Sequence, residues 1–481
     1  MECYRYKILI LLISIPSFIS AFENRFSQSF MYTRPAFFNI AMWQAGWHNY
    51  AFDQGCKNNA LQLIPYRQHS MKNNKNVTYF FIDGKNNMTV KGDNAIGTPA
   101  NPNNRDIRAE WIGLPNNFSG SFCIKPEQLQ QGAILQYKVS LKNLVPWCFF
   151  RRMWIGISGV FNDVKNEINF QQSIAQTYNT TPATIKQALD PDTWCYGKFT
   201  EKTESSGLAE TRFSFGTRFI DRGDWQFGFS TYVSIPGQGG INSNSIFEAY
   251  RGFNGHVGWG SQVNIQMPLS PCNSEAIVAA FFDAESIFLF SNTKHRSVDL
   301  YNKPWTRYLL LNRTNGETNI PGINVLSPKV KISPYNLVTI AAGMRFKYRC
   351  LDTEMSYGLW THGDEHIKLK HEWKEEYGIA GTGTTTLPNG TVVGNSASGS
   401  AINFQAANDS TFIPITANDL NFKSGAARAT LSQFAQGAVG VTSQSCSGVK
   451  GFAFIGGFFE YAHKNCTLSN WGWWVKLGAS F

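Results

Sequence analysis

The chain ends in Trp471-Gly-Trp-Trp-Val-Lys-Leu-Gly-Ala-Ser-Phe481. Stepping back by two from the last residue gives Phe481, Ala479, Leu477, Val475, Trp473 and Trp471. The interleaved set is Ser480, Gly478, Lys476, Trp474 and Gly472. A period of two puts the first set on one face of a β-strand and the second on the other. Trp471 and Phe481 stand about ten residues apart, the length of a tilted strand that crosses the apolar band of a bilayer. Aromatic residues at both ends of that span fit the two interfacial girdles of a membrane barrel.

The same alternation recurs upstream. Val338, Ile340, Ala342, Met344, Phe346 and Tyr348 oppose Thr339, Ala341, Gly343, Arg345 and Lys347. Segments 133–142, 209–219, 225–235 and 257–267 behave alike, with single exceptions at Ile134 and Ser261. Strands of a soluble sandwich run to about five or six residues. Repeated alternations of about ten residues favour a wall with lipid on one side and a lumen on the other.

Counting back from the C-terminus, strands are predicted near 469–481, 450–463, 431–443, 352–361, 337–349, 275–288, 256–268, 224–235, 208–220, 152–162, 132–142, 118–125 and 106–114. The intervals 444–449, 350–351, 269–274, 221–223 and 143–151 are short. The intervals 163–207, 236–255, 289–336 and 362–430 are long, and 464–468 is the exception. Short turns on the periplasmic side and long loops outside are the habit of bacterial barrels, whose strand number is even. The expected fold is all-β: a transmembrane antiparallel barrel of about 14 strands, with 12 to 16 allowed. It occupies residues 106–481. Residues 22–105 read either as early strands or as a plug. Gly381–Ala401, rich in Gly, Thr and Ser, reads as a mobile loop.

Composition agrees. Only 16% of the residues are charged and 14% are aromatic, against about a quarter charged in an ordinary soluble protein. Arg5, Lys7, the apolar run Ile8–Ile15 and Ser20-Ala21 read as a signal peptide, residues 1–21. Downstream, no apolar run approaches the length of a spanning helix. Cys56, Cys123, Cys148, Cys195, Cys272, Cys350, Cys446 and Cys466 are widely spaced, without a CxxC pair. This spacing argues against a zinc or redox site.

The last strand resembles the C-terminal assembly signal of bacterial outer-membrane proteins, carried by Trp471, Trp473, Val475, Leu477 and Phe481. The resemblance implies residence in the bacterial outer membrane and recognition by the barrel-assembly machinery. At the level of pattern, residues 106–481 resemble porin-type barrels, with no residue-level match that would carry over a family site. The implied partners are outer-membrane lipid, lipopolysaccharide and small solutes, with no nucleic acid.

Chemistry is thin. His362-Gly-Asp-Glu-His366, with His371, lacks the HExxH spacing and falls in a long outer loop. Neither a phosphate-binding loop nor a GxSxG is present, so no catalytic residue, metal ligand or cofactor is nominated. Alternation instead turns Lys138, Lys142, Arg212, Arg218, Asp283, Glu285, Arg345 and Lys347 inward, because a charge facing lipid at mid-depth costs about 2–4 kcal/mol. An excess of basic side chains lining a pore would favour anions. The expected function is passive diffusion of small hydrophilic solutes through a porin-like channel. The alternatives are a plugged uptake channel for hydrophobic compounds and a surface adhesin or receptor. A porin requires an open, polar lumen. A hydrophobic-compound channel requires a closed one, with an apolar pocket near the outer rim.

Overall fold

The computed structural model describes residues 27–46, 59–71, 75–95, 104–143, 152–222, 225–271, 274–334, 336–404, 406, 409–443, 449–463 and 467–481. The segment read as a signal peptide, and Cys56, Cys148, Cys272, Cys446 and Cys466, lie outside the described residues. Cys123, Cys195 and Cys350 are free thiols.

Among the described residues twelve antiparallel strands close into one barrel. They are β1 (Asn59–Ser70), β2 (Glu127–Ser140), β3 (Met153–Glu167), β4 (Lys202–Arg222), β5 (Trp225–Pro236) and β6 (Gly258–Pro268). The second half comprises β7 (Ala276–Leu289), β8 (Leu337–Tyr348), β9 (Leu351–His362), β10 (Thr430–Thr442), β11 (Lys450–Ala462) and β12 (Asn470–Ser480). The count is twelve rather than about fourteen. The segments expected as strands at 106–114 and 118–125 fold outside the wall, as a short strand with a 3-10 turn and as the strand Ser119–Cys123. β1 pairs with both β2 and β12, and so closes the ring. The Phe481 amide donates to the Asn59 carbonyl at 3.0 Å and Asn59 returns the bond at 2.9 Å. Closure satisfies every strand edge, which an apolar membrane demands.

Residues 22–105, open between strands and plug in the sequence, divide in the structure. Asn59–Ser70 is a wall strand, while 27–46 runs from the cap into the lumen. Residues 75–95 join the outer loops in a folded cap.

That cap is the chief departure from the expected long, irregular loops. The long connections all leave one end of the barrel and fold around a shared apolar core. The rings of Phe80 and Trp305 lie 5.5 Å apart, and those of Trp305 and Tyr308 5.2 Å apart. Four small sheets lace it together. Gly381–Ala401, expected as a mobile loop, contributes to two antiparallel strands of the cap, Tyr377–Thr386 and Val392–Ser396.

Glycine sets how close aromatic residues come to the inner wall. Trp474 sits directly opposite Gly456, Phe454 opposite Gly440, Phe434 opposite Gly358 and Tyr232 opposite Gly260. A Cβ built on any of these glycines would fall 2.1–2.3 Å from the partner's ring. The rings therefore lie across their glycine neighbours, a cross-strand pairing that fills the interior.

Candidate functional site

Residues 27–46, nearly all buried, run from the cap into the lumen. The segment hangs from the cap: the amides of Gln28, Ser29 and Met31 donate to the carbonyls of Tyr79, Ser424 and Ile246 at 2.8, 2.9 and 2.8 Å. It then descends through the barrel. Arg34 Nε donates to Glu460 Oε1 of β11 at 3.2 Å, and its Nη1 donates to the Phe38 carbonyl at 2.7 Å. Gln130 of β2 both donates to the Arg34 carbonyl and accepts from the Ala36 amide, each at 2.8 Å.

A short helix, Ile40–Gln44, follows, capped by the Asn39 side chain and packed against β7 and β8. Capping satisfies amides that burial would otherwise leave orphaned. Below it the Gly46 amide donates to Glu354 Oε1 at 2.9 Å, and Lys476 Nζ donates to the Trp43 carbonyl at 3.0 Å. Phe37, Phe38, Met42 and Trp43 join the inward aromatics of the wall in one apolar cluster. Residues 33–46 are all buried along this path.

Several inward charges are paired within the wall. Arg212 pairs with Glu210 and with Glu285 at 2.9 Å, and its guanidinium lies 4.7 Å from the Trp43 ring. Glu285 also accepts from the Tyr232 hydroxyl. Arg345 Nε donates to Asp352 at 2.7 Å, with Glu354 at 3.6 Å. Asp283 accepts from Asn264 at 2.8 Å. Lys138 is buried with its Nζ 4.0 Å from the Trp154 ring. Arg218 and Lys347 are half-buried near the periplasmic ends of β4 and β8, and Lys142 is exposed in the turn after β2. Of the expected pore-lining residues, then, the structure brings Arg212 and Glu285 into one network and scatters the rest.

Sequence reading places Lys476 on the inward side but does not nominate Arg34, Gln130 or Glu460 as functional. Their signal is a polar or charged group on the inward side of an otherwise apolar stretch, which becomes meaningful only once something fills the lumen. Among the described residues no three potential ligands gather to hold a metal. His362 is buried at the end of β9 and His366 is exposed on the cap.

At the outer rim, where the segment meets the cap, a cavity of about 30 Å³ is lined by Tyr32, Tyr250, Phe253, Leu289, Leu337, His256, His362 and Glu365. That is room for one or two waters. Beside it, burial and then the neighbouring Lys294 charge push the His256 imidazole down to about 4, and burial pushes the Lys294 ammonium down to about 7.

The outer face decides the setting. Leu61, Leu135, Ile155, Phe213, Val233, Trp259, Phe346, Ile455 and Leu477 are exposed, as are Trp471, Trp473 and Phe481 of the last strand, with Val475 beside them on the same face. Such a face is stable only against lipid. This is an outer-membrane β-barrel.

No known family matches the sequence, nor does any curated protein. Solved structures with a related shape include an outer membrane channel from Pseudomonas putida F1, at 8% identity and a TM-score of 0.42. The match covers 91% of this chain and 99% of that one. A Pseudomonas aeruginosa FadL homologue matches at 10% identity and a TM-score of 0.29, over 92% and 93% of the two chains. A TodX deletion mutant, a monoaromatic hydrocarbon channel, matches at 10% identity and 0.36, over 92% and 93%.

Proposed function

We propose that this barrel is an uptake channel for small hydrophobic compounds that residues 27–46 keep shut. The observation that carries the reading is the buried segment running from the cap to Lys476, which among the described residues packs across the lumen where a diffusion porin needs an open polar path. The cap adds an apolar, aromatic-rich core above the lumen, and the rim cavity is lined mainly by aromatic and aliphatic side chains. An apolar solute can be desolvated on such a surface, whereas a hydrated ion gains nothing from it. The paired inward charges support the same choice over an anion-favouring pore. Passage requires the segment to shift.

The test is planar-bilayer conductance combined with uptake of a labelled monoaromatic hydrocarbon into proteoliposomes. The intact chain should conduct few ions and still accelerate hydrocarbon entry, and deletion of residues 34–46 should open a large ionic conductance. Steady porin-like conductance from the intact protein, without hydrocarbon uptake, would return the reading to passive diffusion of hydrophilic solutes.

A further inference from the structure

We propose that the cap carries a site for the phosphate groups of outer-leaflet lipopolysaccharide on the exposed face of a three-stranded sheet. Its strands are Asn292–His295, Lys329–Ser333 and His366–Leu369. Each continues a strand of the wall: the first follows β7, the second leads into β8 and the third follows β9. The sheet therefore rises directly from the barrel at the membrane's outer boundary. Phe288 and Phe290, exposed at the outer end of β7, mark that boundary. Thr293 lies three residues beyond Phe290, at most about 10 Å higher at the usual rise per residue. That is the level of lipid headgroups rather than of acyl chains.

Alternation sorts the second and third strands into two chemically opposite faces. Val330, Ile332 and Ile367 are buried against Ala426 in the cap. Lys329, Lys331, Lys368 and Lys370 are exposed on the other side. Lys331 stands directly opposite Lys368, and the Lys370 amide donates to the Lys329 carbonyl at 3.0 Å, so the four lysines form one block. Like charges facing each other across a ladder destabilise it. The three strands carry no Asp or Glu, and among the described residues none of the four lysines has an acidic partner. Asp364 and Glu365, just before the third strand, accept from the Ala429 and Ala427 amides. A compact block of ammonium groups at headgroup height complements a phosphorylated glycolipid, whose surface position needs no access to the lumen. The site depends on the barrel's orientation, not on what the barrel transports.

The detergent-solubilised full chain, incubated with lipopolysaccharide, should retain the lipid through size exclusion at low salt. Lipid stripped of its phosphates should be lost. Lys331→Gln with Lys368→Gln should weaken retention by about tenfold, and the quadruple Gln variant further. The pair Lys125→Gln and Lys186→Gln, elsewhere on the cap, should change nothing. Because all four side chains are exposed, heat-modifiable mobility checks that each variant is folded. Equal retention of phosphorylated and dephosphorylated lipid, or full retention by the folded quadruple variant, overturns the site. So does saturable binding of inorganic phosphate to these lysines without retention of the lipid.

Discussion

Arg34 of the lumen segment and Glu460 of β11 form a buried ion pair, with both oxygens of the carboxylate engaged by the guanidinium. Removing one member of such a pair costs about 3–5 kcal/mol, because the other charge stays buried without compensation. Glu460→Gln should therefore loosen residues 34–46 while leaving the wall intact. We expect faster hydrogen exchange at the amides of 36–45 and the appearance of ionic conductance. Unchanged exchange in the variant would mean that the aromatic cluster alone holds the segment.

The same physics governs Arg212. From sequence, Arg212 and Arg345 are basic groups on a lumen wall, and replacing them should shift ion preference. In the structure Arg212 is paired with both Glu210 and Glu285. Arg212→Gln should lower the temperature of heat-modifiable unfolding, at a cost of about 3–5 kcal/mol. The triple variant with Glu210→Gln and Glu285→Gln should recover most of the loss. A variant of normal stability with altered ion preference would place Arg212 in open water instead.

How much of this was legible depends on periodicity. The eleven strands from β2 to β12 follow the alternation in the sequence to within six residues at either end, because lipid and lumen impose opposite demands on successive side chains. β1 hides: Pro65, Arg67 and His69 share its outward face while Ile64 and Tyr66 point inward, so the contrast is blurred. The count erred because short strands such as Ser119–Cys123 alternate equally well in a cap sheet. The lumen segment has no period at all. Its burial comes from partners such as Glu460 and Lys476, more than 400 residues downstream in the chain, which local patterning cannot reveal. For the same reason the compensation of Arg212 by Glu285, three strands away, was invisible.

Trp474 and Gly456 offer a clean test of interior packing. A Cβ at Gly456 would lie 2.3 Å from the indole, so Gly456→Ala must displace the ring toward the lumen segment. Overpacking of this kind costs about 1–3 kcal/mol. We expect Gly456→Ala to be destabilised by that amount, and Gly456→Ala combined with Trp474→Leu to be less destabilised than the sum of the single changes. Strict additivity, measured by denaturant unfolding in detergent, would show that the indole moves without cost.

The last expectation concerns acid. His256 lies in the cap, outside the wall, with its Nδ1 2.8 Å from the Phe290 carbonyl. Burial, reinforced by Lys294, holds its imidazole at about 4, with Arg296 pushing the same way and Glu365 opposing. The unfolded imidazole titrates near 6.5. Between those values the open state binds a proton that the closed cap refuses, so stability falls as pH falls through this window and levels off below about 4. The loss amounts to about 3 kcal/mol at 1.36 kcal/mol per pKa unit. Lys294, held at about 7 by burial, gives a slope of the same sign, in a higher window that ends at the ordinary lysine value of 10.5. Hydrogen exchange at 237–257 and 290–296 should therefore show protection that weakens from pH 6.5 to pH 4. His256→Gln should flatten that dependence while keeping the neutral-pH protection. A cap that loses protection equally in both proteins over this range would assign the acid response to another group.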